Sequence, residues 1–143
     1  KRGAQKLFRI HWDGDFFSDD YAQAWKHTVI NHPNIQFWVY TRVPSAALIL
    51  KDISNLSLYF STDDDNIAMA TELNQTHNIR LAYLGKTFAL TENKMKEITG
   101  KPGAKCPENA KRIPLISTNG SACVSCGLCV YGKADIRFSA SKK

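Results

Sequence analysis

Four short apolar runs alternate with segments of helical pattern over the first 90 residues, and this order constrains the fold more than any other feature of the chain. The runs are Lys6 to Trp12, Ile35 to Tyr40, Asn55 to Phe60 and Ile79 to Leu84. Between the first two, Ser18 is placed to cap a helix, with Asp19 and Asp20 in its first turn, where the helix dipole favours acids. Tyr21, Ala24, Trp25, Thr28 and Val29 then recur at helical spacing up to Asn31. His32-Pro33-Asn34 stops that helix. Pro44-Ser45 opens a short helix over Ala46 to Leu50. A third helix is expected from about Asn66 to Thr76, and Gly85-Lys86-Thr87 reads as a turn. Strand and helix in strict alternation predict an α/β fold of parallel βα units, either a partial βα barrel or an open sheet. The connections are expected to be right-handed.

Past Leu90 the pattern changes. Lys94 to Thr99 reads as a short helix, Gly100 to Asn119 as loop, and Ile136-Arg137-Phe138 as a last short strand. Residues 1–90 are therefore expected to form the βα core. Residues 91–143 form a cysteine-rich segment packed on it, within one domain overall. A length of 143 residues suits one domain. Hydrophobic content of 43% and aromatic content of 10% exclude a disordered chain. No apolar run approaches the roughly 20 residues of a membrane span.

All four cysteines fall in that segment, spaced C-x16-C-x2-C-x2-C at Cys106, Cys123, Cys126 and Cys129. In the close run three sulfurs can face one centre, and Cys106 would close the fourth corner from a distance. Three readings follow. A 4Fe-4S cluster is held by four thiolates in this kind of run, with small Ser125 and Gly127 letting backbone N–H groups approach the sulfurs. Zinc takes four cysteines too, although it favours two separated pairs. Two disulfides are the third reading, against which x2 spacing argues. Metal-type cysteines without a signal-peptide pattern point to a reducing cytoplasm.

Polar residues gather where the strands end. Asp13, Gly14 and Asp15 follow the first, Thr41 and Arg42 the second, Ser61 and Asp63 to Asp65 the third, and Tyr83, Lys86 and Thr87 the fourth. In parallel sheets ligands bind beyond these ends. Gly14, Asp15, Thr41, Arg42, Ser61 and Asp63 are therefore the candidate shell of a cofactor or substrate, with Asp13 beside them. Plainer roles compete. Asp63 to Asp65 suit a helix cap, Asp13 and Asp15 suit a glycine turn, and Arg42 suits a partner for one of the acids. His11, Trp12, Trp25 and Trp38 fall on periodic apolar faces and are expected in the core.

Net charge is +6, with bases concentrated in Lys94 to Arg112 and at both ends. A basic stretch beside a metal site suits nucleic acid. The rival to an iron–sulfur protein is thus a zinc-stapled nucleic-acid-binding module.

The run His11-Trp12-Asp13-Gly14-Asp15-Phe16-Phe17-Ser18, followed by Tyr21, Trp25 and Phe37-Trp38-Val39-Tyr40-Thr41-Arg42, resembles the phage and prophage gene product eighty-eight family. Cys106-Pro107 and Cys123-x-x-Cys126-Gly127-Leu128-Cys129 extend the resemblance over most of the chain. It implies a bacterial host's cytoplasm and a further amino-terminal part with more cysteines, and no settled activity comes with it. More loosely, the order of strand-end elements is similar to phage radical S-adenosylmethionine proteins built as partial barrels. That similarity implies that Gly14 and Asp15 lie near the amino-acid end of the cofactor, and that the four cysteines hold an auxiliary cluster. The barrel portion lacks the three-cysteine motif of such enzymes, so this chain alone is not expected to cleave S-adenosylmethionine.

Overall fold

A computed structural model describes residues 6–118 and 120–143. The basic residues at the start of the chain and the Asn119 end of the expected loop lie outside the described residues. The elements in chain order are β1 (Lys6–Arg9), α1 (Asp19–Ile30), β2 (Ile35–Thr41), α2 (Pro44–Leu50), β3 (Leu56–Thr62), a 3-10 turn (Asp64–Asn66), α3 (Ile67–His77), β4 (Arg80–Gly85) and α4 (Phe88–Thr99). Then come β5 (Ala104–Lys105), β6 (Ile116–Ser117), β7 (Gly120–Ser121), α5 (Ala122–Cys126) and β8 (Ile136–Ser139). Six strands form one parallel sheet, curved as a half-barrel, in the order β1-β2-β3-β4-β8-β5. The expected α/β fold of parallel βα units is what the chain adopts.

Local chemistry explains the elements. The Ser18 hydroxyl accepts from the Tyr21 N–H at 3.1 Å, and Asp19 and Asp20 occupy the first turn of α1. Pro44 starts α2, where no N–H is needed. Several expected boundaries move: β1 stops at Arg9, short of Trp12, and the stretch expected as loop from Gly100 carries β5 and β6. Helix α4 starts at Phe88, capped by Thr87, whose hydroxyl accepts from the Leu90 N–H at 3.2 Å. Its buried stripe is Phe88, Thr91, Met95 and Ile98, and the threonine breaks the apolar period in the sequence.

The sheet has two different faces. Phe37, Val39, Leu56, Leu58, Phe60 and Leu81 point to the helices and join Ile10, Ala46, Leu50, Leu73 and Met95 in the main core. Each such fully buried aliphatic side chain contributes about 1.5–3 kcal/mol. Tyr40, Tyr59, Ala82, Ile136 and Phe138 point the other way, and Cys106 and Cys129 pack against them. Alternation along each strand makes this division. The C-terminal segment therefore covers the face that the helices leave open.

The four residues expected in the core separate. Trp25 packs on the main core and Trp38 is buried, whereas Trp12 is 84% exposed. Strand β1 ends at Arg9, and His11 takes a positive φ of 58°, which turns the chain outward. His11 itself is half-buried, with Nε2 2.7 Å from the Tyr21 hydroxyl and its ring among Phe16, Tyr21 and Trp25.

Candidate functional site: a cysteine-lined cavity beneath the sheet

The open face of the sheet and the C-terminal segment border a half-open cavity of about 470 Å³. All four cysteines line it. Cys106 follows β5 at the sheet edge, and its N–H continues the ladder to the Arg137 carbonyl at 3.0 Å. Cys123 and Cys126 are three apart on α5 and share one face of that helix. Gly127 ends α5 at φ 70°, a conformation that suits glycine. The chain reverses there and returns Cys129 to the cavity.

Sheet side chains hold this segment in place. The Tyr59 hydroxyl donates to the Ala134 carbonyl at 2.6 Å. Ser57 and Gln36 both donate to the Val130 carbonyl, at 2.8 and 2.9 Å. The Asn109 side chain accepts from the Ser139 N–H at 2.7 Å. Buried loop carbonyls are thereby paired without help from a ligand.

Electrostatics couple the thiols. Burial pushes the Cys129 thiol up to about 12; a hydrogen bond from the Tyr40 hydroxyl opposes this, and the charges of the other three cysteines add to it. Burial raises Cys106 as well, against backbone N–H groups of Asn109 and Glu108 directed at its sulfur. Burial raises Cys123, while the Arg9 guanidinium favours its thiolate. Four thiols therefore line one cavity, three of them on α5 and the turn after it and one at the sheet edge. Zinc binds sulfur at about 2.3 Å, which brings four tetrahedral sulfurs to within about 4 Å of one another. Among the described residues no group of three His, Cys, Asp or Glu side chains is arranged to hold a metal ion.

Arg9 and Tyr40 also line the cavity, and the sequence reading missed both as site residues. Period-2 alternation was the available signal, since Arg9 sits between the helix-facing Phe8 and Ile10.

The strand-end residues divide between two places. Asp15 accepts from the Thr41 hydroxyl at 2.6 Å and from the Arg42 N–H at 2.8 Å. The Arg42 guanidinium meets both oxygens of Asp63, at 3.1 and 3.3 Å. Those hydrogen bonds from Arg42 are the main cause holding Asp63 below the usual carboxylate range. Asp63 also caps the following 3-10 turn by accepting from the Asp65 N–H, and Tyr83 donates to Asp64. Asp15, Thr41, Arg42 and Asp63 thus form one linked chain of bonds. Gly14 and Asp13 stand at an exposed turn beside it, Gly14 with φ 81° and its N–H on the Asp13 carboxylate. Ser61 instead lines the cysteine cavity. In the basic stretch, Lys94 pairs with Glu97 and Lys96 with Glu92, while Lys101, Lys111 and Arg112 are exposed.

The family called Gene product 88 matches residues 1–132. The chain belongs to that family. It is 49% identical to the Gene 88 protein of Mycobacterium phage L5 and 47% identical to that of Mycobacterium phage D29, in each case over its whole length. It spans 58% of the length of each of these Gene product 88 relatives. No solved structure matches it significantly. Among the described residues no helix is long and apolar enough to cross a membrane.

Proposed function

We propose that this Gene product 88 chain binds a 4Fe-4S cluster on Cys106, Cys123, Cys126 and Cys129, and that the cluster serves redox or radical chemistry in the longer family proteins. The single observation that carries the reading is the convergence of all four cysteines, from two separate segments, on one cavity. A cubane has an iron at each of four corners, so its thiolates stand farther apart than sulfurs around one zinc ion. Bound iron would supply the positive charge that favours the thiolate form of these half-buried cysteines. With every cysteine used as a ligand, no iron is left open to S-adenosylmethionine. A bound cluster would pass electrons or order the C-terminal segment; Ser61 stands on its cavity wall, while Gly14, Asp15, Thr41, Arg42 and Asp63 stand apart at the strand ends as candidates to meet a substrate or cofactor in the longer protein. The reducing cytoplasm of the bacterial host is the compartment that keeps such thiols available.

Anaerobic reconstitution with iron and sulfide tests the reading. Broad visible absorption should develop in the natural chain and be reduced or lost in each of C106S, C123S, C126S and C129S. Uptake of about one zinc per chain, with no iron-dependent colour, would reject the cluster. In that case, salt-sensitive nucleic-acid binding through the exposed bases becomes the next measurement.

A further inference from the structure

We infer that Arg9 is the counter-charge of the cysteine-held centre, set in the cavity wall to stabilise its reduced form. This inference rests on the cluster reading above. Strand β1 alternates, so Phe8 and Ile10 face the helices and Arg9 faces the cavity. Its guanidinium carbon lies 5.2 Å from the centre of the Trp12 ring and 5.1 Å from that of Tyr40. Two aromatic faces hold a cation in place without neutralising it. The Arg9 Nε is buried and has no hydrogen-bond partner among the described residues. Arg9 as a whole is half-buried, and a guanidinium with a buried, unpaired Nε ordinarily meets a carboxylate or another anion. Here the guanidinium shares its cavity with four thiols, and Tyr40 connects the two by touching Arg9 on one side and Cys129 on the other.

A cubane on four thiolates is an anion, and reduction adds one more negative charge. A fixed cation nearby favours the reduced state, and net charge around a cluster is one of the properties that set its potential. Arg9 accordingly acts through the cluster, as a positioning charge. The exposed Trp12 gains a reason for its place, since it covers the outer side of the guanidinium.

The test is the midpoint potential of the reconstituted full chain, read by a dye-linked titration, for the natural protein, R9Q and R9K. Iron and sulfide are counted for each. R9Q should favour the oxidised cluster about tenfold more than the natural protein, which is about 59 mV for one electron. R9K, which keeps the charge, should stay close to the natural value. Equal potentials in all three, with full iron content, would overturn the role of Arg9 and leave the cluster reading intact. No iron in the natural protein would overturn the cluster reading and this inference with it. If R9Q fails to load while R9K loads normally, the requirement for charge is supported. Failure of both would overturn it, because R9K retains the cation.

Discussion

The Tyr59 hydroxyl donates to the Ala134 carbonyl at 2.6 Å, and this bond ties the centre of the sheet to the loop that follows Cys129. Tyr59 is fully buried on the open face of β3. Burial is the largest cause raising its hydroxyl above the ordinary tyrosine range, so it remains a neutral donor. The Y59F variant leaves a half-buried carbonyl without this partner. It should cost about 1–2 kcal/mol in denaturant unfolding and should increase the reactivity of Cys129 toward thiol reagents in the metal-free protein.

The two acids around Gly14 should differ in their contribution. Asp15 accepts from Thr41 and Arg42, whereas Asp13, among the described residues, bonds only its neighbour's N–H in an exposed turn. Hydrogen bonds to a charged group are worth about 1.5–3 kcal/mol. D15A should therefore lower stability by about that amount, and D13A should stay within about 0.5 kcal/mol of the natural chain. Urea unfolding of both variants checks the contrast.

Acid should act on Asp63 and Asp135 with opposite signs. Arg42 lowers the folded pKa of Asp63, so its contribution is present above the unfolded pKa and is lost as pH falls through the folded value. The pair is half-exposed, and its worth is below about 1 kcal/mol. Burial raises the folded pKa of Asp135. Its favourable contribution is present below the unfolded pKa and is lost as pH rises through the folded one. D63N should therefore flatten the acid limb of the stability profile. D135N should raise stability near neutral pH relative to the natural chain, provided its amide oxygen keeps the Leu81 N–H that Asp135 accepts at 2.7 Å.

Much of this architecture is legible in the sequence because the strands and caps obey local rules. Ser18, Asp19 and Asp20 mark the start of α1, and Pro44 marks α2. The pairing of Arg42 with an acid is also readable, since both stand at ends of adjacent parallel strands. What escapes is non-local. Strand β5 is two residues long, and β8 inserts between it and β4 after a long excursion, which no local pattern announces. Ser61 and Asp63 are close in sequence, yet the pleat sends Ser61 into the cavity while Asp63 lies beyond the strand. Arg9 and Tyr40 escape because a strand facing a second covered surface can carry polar residues within an apolar run.

The Tyr40 hydroxyl lies against the Cys129 sulfur. A hydrogen bond to a ligand sulfur raises a cluster's potential. Y40F should lower the midpoint potential of the reconstituted protein while keeping its iron content. Potentiometry beside iron analysis reads both.

The most direct measurement is the iron, zinc and acid-labile sulfide content of the chain purified without oxygen from cells grown with added iron. About four irons and four sulfides per chain are expected, in a brown protein. A colourless protein with about one zinc and no sulfide would contradict the cluster.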